Sequence, residues 1–155
     1  MLFMTFKAAG TRFALPARDV DEITPLVELS PLPGSPAYVA GLMNHRGRGL
    51  PVADLTMLLA GRGSRPWAST RILVAEAGRG LTLGLMAERA LKTMDLDPDG
   101  FAAPGAPAAP YVKSLALAGD ELVQVLDVSR LLPAELIDSL KAASEAALKV
   151  PPEAA

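Results

Sequence analysis

The sequence contains no cysteine and a single histidine, His45. Without cysteine there are no thiolate zinc sites, redox dithiols or cysteine nucleophiles. With one histidine there is no His pair to grip a metal and no second copy for a relay. Aromatic residues are scarce, with one Trp, two Tyr and four Phe, so the core falls to Leu, Val, Ile, Ala and Met. No apolar run reaches the ~20 residues of a membrane-spanning helix. The opening MLFMTFKAAG also lacks the basic segment and long apolar stretch of an export signal. Neither sign of charge dominates: 15 Lys and Arg face 17 Asp and Glu, giving a net charge of -2. The charges are scattered, so no basic footprint draws nucleic acid by counterion release. The expectation is a cytoplasmic protein with no catalytic residues, no cofactor, no metal, no nucleic-acid partner and no membrane insertion.

What is plentiful is punctuation. Fourteen Pro and thirteen Gly in 155 residues imply many reversals within one compact domain. Leu2 to Phe6 and Thr11 to Pro16 read as a hairpin turning at Lys7-Ala8-Ala9-Gly10. Val20 to Thr24 has no fully apolar side and belongs at an edge or an interface. Pro25, Pro31, Pro33 and Pro36 then mark an irregular crossing segment, because proline cannot donate to a ladder. Tyr38 to Asn44 and Gly49 to Ala53 are extended around His45-Arg46-Gly47-Arg48, and Asp54 can cap a short helix holding Leu55, Leu58 and Leu59. Arg71 to Ala75, Leu81 to Met86 and Ala90 to Met94 are further strands, and Pro98 to Pro110 is a second irregular stretch. Tyr111 to Leu117 and Leu122 to Leu126 form another hairpin. After Pro133 the spacing of Leu136, Ile137, Leu140, Ala143, Ala147 and Leu148 predicts an amphipathic helix over 133–149, with a tail at 150–155.

The succession repeats. Tyr38, Val39, Leu42, Val52, Asp54, Leu58 and Leu59 fall without a gap on Tyr111, Val112, Leu115, Val125, Asp127, Leu131 and Leu132. A slightly shorter offset lays Gly10 on Gly80 and Leu15 on Leu85. The repeat implies two related halves, roughly 1–66 and 67–132, each with about five short strands suited to a small antiparallel barrel. Two barrels side by side would leave a groove between them. The paired Asp54 and Asp127 read as helix caps.

One half carries more than the fold asks. Where the second has Leu117-Ala118-Gly119-Asp120-Glu121-Leu122, the first has Asn44-His45-Arg46-Gly47-Arg48-Gly49. The two glycines allow unusual backbone angles, and the two guanidinium forks can each take a carboxylate in bidentate fashion. Gly41 stands opposite Ser114, so either the sheet tolerates no side chain there or a partner backbone approaches.

The segment YVAGLMNHRGRGLPVADLTMLL, Tyr38 to Leu59, resembles the signature of CheW-like chemotaxis coupling proteins, close to Y-V-x-G-hydrophobic-x-N-x-R-G-x-hydrophobic-P-hydrophobic-x-D-L. Val20-Asp21-Glu22-Ile23 stands where that family has V-x-E-I, and LVQVLDVSRLL resembles its closing strand and helix. The resemblance covers about Leu2 to Leu132. It implies a mainly β fold of two intertwined, five-stranded SH3-like barrels with short helices and no enzymatic activity. It further implies an adaptor linking the cytoplasmic signalling tip of chemoreceptors to the regulatory domain of a CheA-type histidine kinase, within membrane-associated arrays where it also self-associates. A receptor tip would sit in a groove between the subdomains. Arg46 and Glu22 correspond to residues tied to coupling, and Val20, Gly41, Gly47 and Arg48 complete the expected partner-binding set. His45 replaces an aliphatic residue, Thr56 a basic one, and Glu88-Arg89 an Asp and a small residue. Such a variant interface suits an alternative chemosensory system. A small-molecule-sensing β-barrel is the rival reading.

Overall fold

The structure is a computed structural model that describes residues 1–105 and 108–147. Nine strands, two α-helices and three 3-10 turns succeed one another along the described chain. They are β1 (Leu2–Ala8), β2 (Thr11–Pro16), β3 (Val20–Pro25), β4 (Val39–His45), β5 (Arg48–Asp54), α1 (Leu55–Ala60), β6 (Arg71–Glu76), β7 (Thr82–Asp95), β8 (Val112–Ala118), β9 (Glu121–Leu126) and α2 (Ala134–Ala147). Among the described residues no helix is long and apolar enough to cross a membrane. The predicted Leu148 and the tail lie outside the described residues.

The repeat is visible in atomic detail. In both β4–β5 and β8–β9 the register slips at the same place, between Val39 and Gly41 and between Val112 and Ser114. In both, an isolated backbone bridge braces the bulged strand, Ser30 to Leu42 and Ala102 to Leu115. Asp54 N–H donates to the Tyr38 carbonyl at 2.7 Å, and Asp127 N–H to the Tyr111 carbonyl at 2.9 Å. Each aspartate then caps the helical turn that begins after it: Asp54 accepts from the Thr56 and Met57 amides, and Asp127 from Ser129.

The barrels do not coincide with the halves of the sequence. One sheet joins β1 and β2 to the end of β7, β8 and β9. The other joins β3, β4 and β5 to β6 and the start of β7. Each half thus lends its first hairpin to the barrel completed by the other half. The expectation of purely antiparallel barrels is corrected as well, because β2 runs parallel to β9 and β5 parallel to β7. A hairpin lent across the molecule meets its new neighbour through a long crossover, and that connection allows parallel pairing.

A further correction concerns β7, which the sequence divides at Glu88-Arg89. It is one 14-residue strand crossing from one barrel to the other. Arg89 takes a left-handed φ of 53° at the crossing. Glu88 is buried there, its Oε1 accepting from Thr56 Oγ1 at 3.1 Å and Arg62 at 2.8 Å. The carboxylate that reads as a break is thus paired in place by Arg62, while Arg89 lies over the Trp67 ring, 4.4 Å from its centroid.

The interior has three parts. Phe3, Ala14, Val123 and Val125 fill one barrel, and Met43, Leu50, Val52, Ile72, Val74 and Met86 fill the other. The largest cluster lies between them and draws Phe6, Phe13 and Leu15 from one sheet and Leu73, Leu83 and Leu85 from the other. The space between the barrels is therefore mostly packed core rather than an open groove. Helix α2 adds Ile137 and Leu140 to this cluster. The interior of the second barrel is tightly packed around Gly84, where a methyl group would lie 2.9 Å from Ile72 Cγ2 and 3.1 Å from Val52 Cγ2. That geometry weighs against the small-molecule reading.

Candidate functional site

Hairpin β4–β5 ends in a two-residue loop, Arg46-Gly47, between the paired His45 and Arg48. Tight loops of this kind need positive φ at both positions to match the twist of the strands. Gly47 at 81° adopts it freely, whereas Arg46 at 55° is a non-glycine residue held in the left-handed region. Asn44 Oδ1 fixes the bend by accepting from the Gly47 amide at 2.9 Å. Strain of this sort, of order 1–3 kcal/mol, persists only where the surroundings impose it. Its result is to project the Arg46 side chain, which is 75% exposed.

Glu22 on edge strand β3 faces that loop. Its Oε2 accepts from His45 Nε2 at 2.9 Å, and its Oε1 accepts from the Arg46 guanidinium at 3.1 Å. The carboxylate is divided between two donors, one half-buried and one largely in solvent. An exposed pair such as Glu22–Arg46 contributes only about 0.2–1 kcal/mol to stability. Its larger effect is orientation, because an Arg tethered by one nitrogen keeps its remaining donors in a set direction for another carboxylate.

The structure thus brings Glu22, Arg46, Gly47 and Arg48 together. It does not bring Gly41 to that surface. Gly41 is buried with φ +144°, and a Cβ there would overlap the Ser30 carbonyl oxygen and lie 3.0 Å from its carbon. The approaching backbone is the chain's own. Val20, at the start of β3, is half-buried against the central cluster. Met43 is core and Leu42 is half-buried, its backbone bridged to Ser30.

Sequence reasoning assigns no such role to His45, which stands out there only as a departure from the family pattern. Nothing local signals its contact with Glu22, 23 residues away. Nor does the sequence reveal α2 as a wall of the site. Ser144 Oγ donates to the Gly49 carbonyl at 2.6 Å, and Arg79 clasps Asp138 through two nitrogens at 2.9 and 2.8 Å. The guanidinium bond and charge of Arg79 hold the Asp138 carboxyl below the usual range, partly offset by burial.

A second feature lies on the other barrel. A cleft of about 630 Å³ runs between α1 and the β8–β9 sheet, bordered by Phe13, Leu59, Tyr111, Leu115 and Leu122. At the tip of the hairpin, Leu117 and Leu122 are 70% and 48% exposed. This apolar end is the counterpart of the cationic one.

Taken together, a duplicated β-barrel fold with filled interiors and two differently surfaced hairpin ends defines a module for holding other proteins. The CheW-like domain model matches residues 2–136, and the chain belongs to that family, the CheW-like proteins of chemotaxis-type signalling. The chain is 29% identical over 137 residues to Protein FrzA of Myxococcus xanthus, covering 84% of each. It is also 29% identical over 85 residues to Chemotaxis protein CheW of Rhizobium meliloti (strain 1021), covering 55% of this chain and 54% of that one. The crystal structure of the scaffolding protein TtCheW from Thermoanaerobacter tengcongensis superposes with a TM-score of 0.79 at 21% identity, over 86% of this chain and 88% of that one.

Proposed function

We propose that this chain is a non-enzymatic adaptor that couples the cytoplasmic signalling tips of chemoreceptors to the regulatory domain of a CheA-type histidine kinase. It works in the cytoplasm, recruited to membrane-associated receptor arrays. The observation that carries this reading is the Glu22–His45–Arg46 cluster, which joins β3 to the β4–β5 tip and exposes a cation there, whereas the charged residue at the β8–β9 tip, Glu121, pairs with Arg12 and Lys7 of its own barrel. A feature that the duplicated fold manages without is available for recognition. Family membership supports the class of partner. The cleft beside α1 mixes apolar residues such as Phe13, Leu59 and Leu115 with polar ones such as Thr11 and Gln124, a lining that can take an amphipathic helical tip, and Leu117 and Leu122 suit a barrel-against-barrel contact. Coupling is spatial: each partner gains from the raised local concentration of the other when one rigid body holds both.

The test is Arg46→Glu in an array reconstituted from a methyl-accepting receptor and a CheA-type kinase. Kinase activation is expected to fall about tenfold or more, in line with reversing a charge at an interface. The thermal melt should barely move, because the Arg46 pair is exposed. A melt lowered in step with activity would reduce Arg46 to a brace for its own loop.

A further inference from the structure

Helix α2 does more than cover the central core. Four hydrogen bonds tie it to two hairpins: Ser144 to the Gly49 carbonyl, two from Arg79 to Asp138, and Lys141 Nζ to the Arg79 carbonyl at 3.4 Å. Between α2 and the decorated hairpin lies a cleft of about 410 Å³. Its floor is apolar, formed by the buried Leu50 and Leu81. Its rim carries Arg46, Arg48 and Lys141, with His45 at one end, against two carboxylates, Glu145 in the lining and Glu22, which already pairs with Arg46 and His45. Among the described residues Arg48 has no ion-pair partner, and Lys141 bonds only to a carbonyl. In a chain of net charge -2 this is a local excess of cations over an apolar base.

We infer that this cleft binds an acidic, amphipathic segment of a partner protein, with the partner's carboxylates on Arg46, Arg48 and Lys141 and its apolar side chains on Leu50 and Leu81. The docking face therefore runs from the β4–β5 hairpin onto α2 and is incomplete without that helix. Charge complementarity selects the partner's sign, and the apolar floor selects a peptide over a free anion, which gains nothing from leucine. This rests on the reading of the hairpin as a partner-binding face and adds to it the chemistry of the occupant and a role for the C-terminal helix.

The probe is a synthetic helical peptide with glutamates along one face and leucines along the other, titrated into the full chain while backbone amide resonances are tracked. Controls are a lysine-for-glutamate version and inorganic phosphate. The acidic peptide should shift Arg46 to Leu50, Leu81, Thr82 and Lys141 to Glu145 together. Arg48→Glu, at an exposed position, and Lys141→Glu, at a partly exposed one, should each weaken binding about tenfold. Shifts confined to the hairpin, with none on α2, would overturn the inference while leaving the adaptor reading intact. Equal shifts with phosphate would also overturn it, since the site would then be one for small anions. Failure of the adaptor reading is registered separately, by Arg46→Glu in the reconstituted array.

Discussion

Gly41→Ala should be among the most costly single-methyl additions in this protein, for two reasons that can be summed. At φ +144° the backbone occupies a region that L side chains rarely adopt, and forcing alanine into it costs about 1–3 kcal/mol. The added Cβ also collides with the Ser30 carbonyl, which accepts from the Leu42 amide at 2.8 Å while the Ser30 amide donates back to Leu42 at 2.8 Å. Moving Ser30 away weakens both bonds, at a net ~1 kcal/mol each. The total is about 3–5 kcal/mol, a large share of the roughly 5–15 kcal/mol that holds a domain of this kind together. Gly47→Ala is the control, because φ is +81° but nothing lies within 4 Å. It should lose only the backbone preference, about 1 kcal/mol. In urea melts, with slopes of ~1–3 kcal/mol/M, the Gly41 variant should unfold at a midpoint lower by roughly 1–5 M at unchanged slope. A Gly41 variant no weaker than the Gly47 variant would refute the reasoning. So would normal stability with lost partner binding, which would return Gly41 to the approach of a foreign backbone.

The charged groups give further expectations. Arg62→Ala leaves the buried Glu88 with Thr56 as its one donor and an Oε2 that already lacks a partner; a loss of about 2 kcal/mol is expected, below the figure for a fully buried pair because Arg62 is partly solvated. Adding Glu88→Gln should recover part of that loss in a double-mutant cycle, and strict additivity would show that the two do not interact. The hydrogen bond from Arg12, aided by its charge and those of Lys7 and Lys92 and opposed by burial, lowers the Glu121 carboxyl below its ordinary range. A depressed folded value means stability that is present above the unfolded value of about 4 and is lost as the pH falls through the folded one. Glu121→Gln should flatten the acid limb of the stability profile measured by denaturant melts, and an unchanged limb would show that the pair adds nothing to acid sensitivity.

Much of this architecture is legible in the sequence because it depends on local signals. The two aspartate caps, the glycine-bearing hairpin tips and the amphipathic α2 each announce themselves within a few residues. The repeat is legible too, since bulge, bridge and cap recur at the same spacing around Tyr38 and Tyr111. What escapes is anything decided by distant burial. The apolar run of β1 and the alternation in β2 say that these strands are covered, and both of their faces are buried, but nothing in them says which half does the covering, so the exchange of hairpins is invisible. Glu88-Arg89 reads as a break because the sequence does not show Arg62 returning 26 residues away to meet the carboxyl. Glu22 is a candidate from its motif alone, but its bond to His45 joins an edge strand to a hairpin across the irregular proline segment, beyond the reach of any local pattern. Gly41 admits two readings that only the position of Ser30 separates.

The hairpin exchange also bears on how such a module can hold two partners in fixed relation. Two barrels tethered by a linker would reorient freely, and a contact at one end would say little about the other. Here β7 runs unbroken from one sheet into the next, and the largest core cluster is shared by both. Neither barrel can tilt without breaking ladder bonds or opening that core. The cationic hairpin and the apolar end around Leu117 and Leu122 therefore keep one mutual geometry, set by the fold and not by whatever binds. The left-handed Arg89 at the crossing point is the local cost of that continuity. Alanine is no relief at such a site, because any residue with a Cβ meets the same backbone penalty there, and only glycine would escape it. Glycine would escape it by loosening the strand that runs through both sheets, and under the proposed adaptor role that would give up the fixed geometry, so the strain is the smaller cost.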